Sequence, residues 1–412
     1  MKRPHWERVV RQAKTRAARR RDSPEDWPFL WYSYDEYKRL FSNPNVQRGD
    51  TMHIKPSQLT EALCLTLPDS PVMIWGAAGV GKSQIIHDSV EDIFEAVASA
   101  RGVEVPTSPI LWERRINDYD LLDFAGLPHI VDGVQVRALP DIWPGVGSSD
   151  PVYGVLFLDE FPQGAREKQT AVQRLLDEGR LGDYVLAGHP KSDPDCKRGL
   201  VVVVLAGNRQ SDRANSHGMG TQTGSRLVHF TLAPDVDDWL GWAAEADVDP
   251  LVTAFVKQMP EYLYKLDPTV KSDTPTGPTP RTLEKLSKAV KRCPPSHVET
   301  AVYAGIVGEE CARAFLALCH AARGVNVEEA LTNPDTCEVP SEAGLQFAAA
   351  SLLIRRSSTK NFGNIVKFVE RDGWSSPEIG VFVVEAIKRR IPLVAETETY
   401  RDFCLRWADI RS

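Results

Sequence analysis

A glycine-rich octamer constrains the fold of this chain more than any other feature of its sequence. It fits the pattern G-x-x-x-x-G-K-[S/T] without a gap, and an apolar run at 71–75 leads into it. A strand, such a loop and a following helix together surround a phosphate group with backbone N–H groups, and the N-terminus of the helix adds a favourable dipole. The sequence therefore predicts an α/β protein with a phosphate site. The predicted site comprises Gly76, Ala77, Ala78, Gly79, Val80, Gly81, Lys82, Ser83 and Gln84.

A second motif, an acidic pair, follows a strongly apolar run further along the chain. Residues 155–158 are Val, Leu, Phe and Leu, and Asp159 and Glu160 come directly after them. A continuous apolar run is typical of a parallel strand covered on both faces, and ligands bind at the carboxyl ends of such strands. We therefore expect Lys82 to reach the β- and γ-phosphates, with Ser83 and Asp159 holding Mg²⁺. Glu160 is expected to polarise the attacking water, so the two motifs together predict hydrolysis of a nucleoside triphosphate.

Composition and charge are those of a large soluble enzyme, with one anomaly at the N-terminus. The chain has 412 residues, of which 42% are hydrophobic, and this length predicts two or three domains. The formal net charge is −7, yet residues 1–21 carry nine Lys and Arg against Glu7 alone, so about +8 is concentrated there. No apolar stretch approaches the roughly 20 residues of a membrane span, and the start lacks the apolar core of a signal peptide. We therefore predict a cytoplasmic protein without membrane association, and seven cysteines without a C-x-x-C pair agree with a reducing compartment.

The order of apolar segments divides the chain into three predicted parts. Residues 1–50 form a basic N-terminal arm and an aromatic connector. Strands and helices alternate over 51–235, which indicates a parallel sheet and a nucleotide-binding core. Helical spacing dominates 236–412, with amphipathic stretches at 281–290, 298–322, 342–356 and 378–389, so we predict an all-helical domain. Within the core, an Asp-Gly pair between two apolar runs predicts a tight hairpin in an insert near 120–148.

Taken together, these motifs resemble those of an AAA+ ATPase of the MoxR type, the branch with an insert in the second helix, over about residues 55–400. The resemblance implies a P-loop AAA+ fold, in which a parallel five-stranded αβα core is followed by a C-terminal all-helical lid domain. It implies ATP and Mg²⁺ as cofactors. It also implies a homo-oligomeric ring, usually a hexamer, in which each nucleotide lies between neighbouring subunits. The motifs that carry it are the glycine-rich loop, Leu158-Asp159-Glu160, Ala206-Gly207-Asn208-Arg209, Ser225-Arg226-Leu227 and Thr279-Pro280-Arg281.

Three further residues take roles from this resemblance. Asn208 matches the first sensor, which orients the lytic water, and Arg226 matches the arginine finger that reaches the next subunit's nucleotide. Arg281 matches the second sensor, on the lid. A planar guanidinium supplied in trans suits the charge that develops in phosphoryl transfer. Simpler interpretations also exist: Asn208 as a turn residue, Arg226 as an ion-pair partner at a strand start, and Arg281 as a residue that begins a helix, where its charge opposes the dipole.

The sequence departs from the family pattern in two places. Gln163 stands where the family usually carries an arginine, and residues 216–224 are glycine-rich where a short helix is expected. The hairpin near 120–148 resembles the insert that faces the pore of the ring, which implies contact with a substrate or partner. A surface hairpin with only a packing role is the alternative. A second hairpin is expected to pair residues 181–186 with the strand that begins at Leu200.

Two functional classes follow from the resemblance and the charge distribution. The first is a MoxR-like chaperone, a ring that couples ATP hydrolysis to the remodelling of a protein partner, often one with a von Willebrand factor A domain. The second is a nucleic-acid-associated motor or regulator, such as the related restriction and replicative ATPases, in which residues 1–21 supply phosphate affinity. The same arm can instead dock a protein, because Trp6, Val9, Val10 and Ala13 fall at helical spacing. The sequence favours protein remodelling, since the body of the chain is acidic.

Overall fold

The computed structural model describes residues 53–105, 108–209, 219–265 and 277–407. The predicted basic arm and aromatic connector, residues 1–50, lie outside these ranges, and so does the first part of the glycine-rich stretch 216–224. Within the described part of the chain, no helix is long and apolar enough to cross a membrane.

In the described ranges, ten strands form one large sheet and two separate hairpins. The large sheet has the order β1-β10-β2-β9-β6-β3, and all its pairings are parallel. Five of these strands are the ones predicted, and the two-residue strand β1 extends the sheet by a sixth. The strands are β1 (His53–Ile54), β2 (Val72–Trp75), β3 (Ile110–Arg115), β4 (Leu127–Val131), β5 (Val134–Ala138), β6 (Val152–Asp159), β7 (Arg180–Leu181), β8 (Tyr184–Val185), β9 (Gly199–Gly207) and β10 (Val228–Leu232).

Helices cover both faces of this sheet, because the side chains of its inner strands alternate between two apolar clusters. Every residue of β9 is buried. Val202 and Val204 belong to a cluster with the first two helices, whereas Val201 and Val203 belong to a cluster with the fourth. This alternation gives an αβα sandwich. The helices of this part are α1 (Pro56–Thr66), α2 (Lys82–Arg101), α3 (Leu121–Ala125), α4 (Arg166–Glu178) and α5 (Thr221–Gly224).

The first hairpin is confirmed, and the second is formed differently from the prediction. β4 and β5 pair antiparallel through Asp132 and Gly133, whose φ angles of 51° and 78° are those of a type I′ turn. The second hairpin pairs β7 with β8 around Gly182 and Asp183, and not with the strand that begins at Leu200. Between β8 and β9 the chain forms a compact loop instead, because the buried Asp193 accepts hydrogen bonds from the N–H groups of residues 188, 197 and 198.

The C-terminal part is helical, as predicted, but its side chains form two apolar cores. The segment 298–322, predicted as one helix, is two helices, since Gly308 adopts a φ of 81° between them. One core is formed mainly by α6 to α10 and the other mainly by α11 to α15. The helices are α6 (Val236–Glu245), α7 (Pro250–Gln258), α8 (Pro280–Lys291), α9 (Ser296–Val307), α10 (Glu309–Gly324), α11 (Glu328–Thr332), α12 (Ala343–Arg356), α13 (Phe362–Val369), α14 (Glu378–Arg390) and α15 (Glu398–Arg406).

One helix, α12, belongs to both of these cores. Ala348 is buried in the first core, whereas Ala349, Leu353 and Ile354 are buried in the second. Phe347 packs against both. The parallel sheet, the glycine-rich loop after β2 and the helical C-terminal part together give the α/β P-loop fold, followed by a helical part, that the sequence predicts.

Candidate phosphate and nucleotide site

The glycine-rich loop joins β2 to α2, with the conformation that its glycines allow. Gly81 is the N-cap of α2 and has a φ of 101°, which is costly for residues with a side chain. Lys82 is the first residue of the helix and Ser83 the second. The free backbone N–H groups of this first helical turn therefore lie where the loop turns, which is an arrangement that binds anions.

The Lys82 ammonium group lies at the centre of the site. It is only 8% exposed and donates hydrogen bonds to the carbonyl oxygens of Gly76 (2.7 Å) and Ala77 (3.0 Å). It also donates to Oδ1 of Asn208 at 2.9 Å. Asn208 follows the end of β9, the strand that pairs with β2. The predicted sensor residue and the predicted phosphate-binding lysine are thus in direct contact.

Asp159, at the end of β6, connects the loop to the acidic pair. Its Oδ2 accepts a hydrogen bond from Ser83 Oγ at 2.9 Å, and its Oδ1 accepts one from the backbone N–H of Glu160 at 2.8 Å. Glu160 has a φ of 57° and caps a short 3₁₀ turn. This left-handed conformation is uncommon for a residue with a side chain and occurs often at functional sites. Both carboxylates therefore follow a buried strand beside the loop.

These residues fit Mg²⁺ and a triphosphate by their chemistry. The hydroxyl of Ser83 and the carboxylate of Asp159 are adjacent oxygen donors, and Mg²⁺ is usually held by one or two carboxylates together with substrate phosphates. No group of three or more His, Cys, Asp or Glu side chains that could form a complete metal site occurs in the described ranges.

The helical part contacts the loop through the start of α8. The backbone N–H of Arg281 donates to the carbonyl oxygen of Gly79 at 3.4 Å. Thr279 caps α8 by accepting from the N–H of Thr282 at 3.1 Å. A Cβ atom at Gly79 would lie 2.9 Å from Oγ1 of Thr279, so the two parts meet closely at this glycine. Arg281, predicted as the second sensor, is thereby brought to the phosphate loop.

Arg226, predicted as the arginine finger, lies elsewhere. It precedes β10 and follows the four-residue helix α5, so it is not in the strand that the sequence predicted to start there. Its guanidinium forms an ion pair with Asp177 of α4 and donates to the carbonyl oxygen of Gln222. The short helix at 221–224 also shows that the glycine-rich stretch keeps part of the helix that the family pattern expects.

A cavity of 310 Å³ extends from the loop to the junction between the α/β part and the helical part. Its volume is at the lower end of the range of about 300–1,000 Å³ for small-molecule pockets. Loop residues 79–81, 83 and 84 form one side of it, and Arg281 contributes from α8. The remaining walls contain Pro56, Pro234, Trp239 and Trp242.

Two polar contacts hold the far wall of this cavity together. Lys55 Nζ lies 2.7 Å from Oδ2 of Asp235, and the N–H of Ser57 donates to Oδ2 of Asp238 at 2.8 Å. The hydrogen bond from Lys55 lowers the pKa of the Asp235 carboxyl, and the same bond raises the pKa of Lys55. The N-termini of α1 and α6 are thus joined at the cavity. None of the sequence motifs indicated these residues, because their place at the cavity depends on how α6 packs beside the sheet.

A larger cavity of 810 Å³ lies among α6, α7, α12 and α14 and has no lining residue in the glycine-rich loop. Its walls carry charges of both signs, and its Lys257 and Lys291 form ion pairs with Asp237 and Asp247. We therefore place the phosphate chemistry in the smaller cavity.

Comparison with known proteins gives structural likeness only. No protein-family model and no curated protein sequence matches the chain. Among solved structures, NtrX from Brucella abortus is 16% identical with a TM-score of 0.32, and the match covers 89% of this chain and 71% of NtrX. Replication initiator DnaA, bound to AMPPCP and single-stranded DNA, is 13% identical with a TM-score of 0.30, over 84% of this chain and 92% of DnaA.

A third similar structure is the Aeropyrum pernix ORC2 protein, 16% identical with a TM-score of 0.29, over 76% of this chain and 73% of that one. Scores and identities this low carry no argument about activity or partners. The assignment of the fold rests on the strand order, the loop and the helical C-terminal part.

Proposed function

We propose that this protein is a Mg²⁺-dependent ATPase. One observation carries the proposal: the loop is hydrogen-bonded to the ends of both neighbouring strands that carry predicted catalytic residues. Lys82 contacts Asn208 after β9, and Ser83 contacts Asp159 at the end of β6. When bound, Mg²⁺ neutralises charge on the phosphates. The backbone of the loop and Lys82 bind the triphosphate, and Ser83 and Asp159 hold the ion.

In this proposal each residue of the site has a separate role in hydrolysis. Glu160 accepts a proton from the attacking water as general base. Asn208 orients that water, while Arg281 and the loop fix the phosphates from two sides. Positioning and electrostatic stabilisation supply most of the catalysis in phosphoryl transfer. The hydrogen bonds that fix Asp159 and Lys82 are therefore favourable to this reaction.

For the assembly, we propose a homo-oligomeric ring, usually a hexamer in the family that the motifs resemble. Arg226 is then the finger that reaches the nucleotide of the neighbouring subunit. Its position at a surface turn, outside its own chain's phosphate site, supports a role in trans. In a ring, the ion pair with Asp177 would hold the guanidinium near the subunit boundary.

For the coupled process, we propose the remodelling of a protein partner, as in MoxR-like chaperones with von Willebrand factor A domain partners. The β4–β5 hairpin supports a macromolecular partner, because Leu127, Val131 and Val134, which the strand pairing places on one face, are exposed by 60%, 46% and 62%. Clustered exposed apolar side chains of this kind mark interaction sites. The second candidate, a nucleic-acid-associated motor, is supported by the charge of residues 1–21. Nucleic-acid binding that falls steeply with salt, and is lost when 1–21 are deleted, would favour the second candidate.

The ATPase proposal is tested by two substitutions that separate binding from chemistry. Lys82→Ala is expected to abolish ATP binding. Glu160→Gln is expected to keep binding while kcat falls by about 10²–10⁴-fold, because the base is lost and the phosphate loop is unchanged. Binding is measured by calorimetry and turnover by phosphate release. Hydrolysis by Glu160→Gln at the wild-type rate would contradict the role of Glu160, and undiminished binding by Lys82→Ala would contradict the site.

A further inference from the structure

We infer that His229 is a positioning residue for Arg226. Its imidazole connects the short helix α5, which precedes Arg226, to Trp75, which leads into the phosphate loop of the same chain. Arg226 acts as an arginine finger only under the proposed function, so the inference rests on that function. It goes further by naming two residues, neither of them in a motif of the resemblance, that hold the finger in place.

Two hydrogen bonds connect Trp75 to α5 through the ring of His229. Nε1 of Trp75 donates to Nδ1 of His229 at 2.9 Å, and Nε2 of His229 lies 2.7 Å from the carbonyl oxygen of Gly224. An indole N–H can only donate, and a carbonyl oxygen can only accept. The chemistry of the two partners therefore assigns a neutral imidazole with its proton on Nε2, which donates to Gly224.

His229 reaches both partners because of the register of the sheet. Trp75 is the last residue of β2 and pairs with Thr231 of β10, so His229, two residues before Thr231, lies on the same face. The planes of the indole and the imidazole differ by 19°, and their centroids are 6.1 Å apart. The phosphate loop begins directly after Trp75, and Arg226 follows Gly224 by two residues. The imidazole therefore joins the start of the loop to the turn that carries Arg226.

The helix before Arg226 depends on such contacts for its position. It has four residues, and a helix this short is not stable without tertiary contacts. On one side α4 holds it, because Thr223 Oγ1 donates to Oε1 of Gln173 at 3.1 Å. Asp177 of α4 forms the ion pair with Arg226. On the side of the sheet, the contact from His229 holds it. A misplacement of about 1 Å can lower a rate by about 100-fold, so this contact matters for a group that stabilises a transition state.

The link can be removed with little effect on folding. The side chain of His229 is exposed and that of Trp75 is partly exposed, and substitutions of exposed side chains usually change stability little. His229→Phe keeps an aromatic ring and removes both hydrogen bonds, whereas Trp75→Phe removes only the donor of the first. His53→Phe is the matched control, since His53 is an exposed histidine in strand β1 of the same sheet.

The first experiment separates kcat from binding in the full chain. ATP affinity is measured by calorimetry, turnover by release of labelled phosphate, and folding by urea unfolding. His229→Phe and Trp75→Phe are expected to bind ATP within about twofold of wild type, because Lys82 and the loop are unchanged. Their kcat is expected to fall by about 10- to 100-fold, less than the 10³–10⁵-fold that a whole arginine finger supplies. His53→Phe keeps the wild-type kcat.

The second experiment tests whether the loss acts through Arg226. In an Arg226→Ala background, His229→Phe is expected to lower kcat no further, because the group that it positions is already absent. Mixing His229→Phe chains with Lys82→Ala chains is expected to restore part of the activity. A mixed boundary then combines the intact phosphate site of one chain with the well-placed Arg226 of the other. A defect in the phosphate site of the His229→Phe chain itself would not be restored.

Three results would overturn the inference. They are a wild-type kcat for His229→Phe, a loss of ATP affinity as large as its loss of kcat, and a mixture with Lys82→Ala that stays as inactive as His229→Phe alone. Failure of the proposed function looks different. Wild type would then not hydrolyse ATP, or Arg226→Ala would hydrolyse it at the wild-type rate, and the role of His229 would fall with that of Arg226.

Discussion

Asp159 and Lys82 are the residues on which the geometry of the site depends. Each makes a hydrogen bond between the loop and a strand end, Lys82 to Asn208 and Asp159 to Ser83, so each holds the loop against a strand end. These contacts were predictable, because the spacing of the P-loop pattern and the position of an acidic pair after an apolar run are local properties of the sequence. The cap residue Thr279 and the tryptophans of α6 were not, since their place at the cavity depends on how the helical part packs against the sheet.

His189 offers a pH-dependent test at the same scale. Its ring lies in the loop between β8 and β9, where one nitrogen contacts the carbonyl oxygen of Leu176 at 3.1 Å and the other accepts from the N–H of Lys191 at 3.3 Å. Burial lowers the pKa of this imidazole. The unfolded chain, with a histidine pKa of about 6.5, therefore binds more protons than the folded chain just below that pH. Stability is fully present above it and decreases as the pH falls through the lowered folded pKa.

We predict that replacing His189 by glutamine makes the free energy of unfolding less dependent on pH. Urea unfolding of wild type and His189→Gln at about pH 7.5 and pH 5.5 measures this, and wild type is expected to lose more stability on acidification. His297→Gln, which removes an exposed histidine, serves as the control. An identical loss in all three proteins would rule out the contribution of His189.

Among the elements, α8 links the helical part to the phosphate loop through its N-terminal cap. Thr279 is 4% exposed and lies against Gly79, and Pro280 and Arg281 directly after it line the cavity. Thr397 caps α15 by accepting from the N–H of Tyr400 at 3.3 Å, and α15 contributes no residue to the cavity. Removal of such a cap typically costs about 1 kcal/mol. Both Thr279→Ala and Thr397→Ala should therefore lower the unfolding free energy by about this amount, but only Thr279→Ala should also weaken ATP binding. The comparison needs one denaturation curve and one titration for each variant, and equal ATP affinities would argue against the link.

The inner strands of the sheet were predictable from their apolar runs, and the differences elsewhere have identifiable causes. Continuous apolar runs located β2, β6 and β9 because such runs are long enough only for buried strands. Gly308 divides a pattern that is apolar on both sides, so periodicity alone predicted a single helix. The loop before β9 depends on the buried carboxylate of Asp193, and nothing in the local pattern distinguishes that aspartate from a solvent-exposed one.

At the scale of the whole molecule, the ring proposal predicts an activity that requires two different subunits side by side. Arg226→Ala should bind ATP and lose hydrolysis, because its own phosphate site keeps Lys82 and the acidic pair. Mixing it with Lys82→Ala chains should restore part of the activity, since a mixed boundary can combine an intact Lys82 with an intact Arg226. Arg174→Ala, an exposed arginine on the helix that carries Asp177, is the control and should keep full activity. Native mass spectrometry reports the assembly, and a fully active monomer would contradict the ring.

The shared helix α12 has a consequence for how the C-terminal half loses its structure. Consecutive residues of this helix are buried in different cores, Ala348 in one and Ala349 in the other. Melting either core alone would expose apolar surface on a helix that the other core still requires, and exposure of that surface is unfavourable. The two cores should therefore behave as one cooperative unit, although they are separate clusters of side chains. Unfolding of α15 by force or heat would then also destabilise α8, and with it the contact between α8 and the phosphate loop.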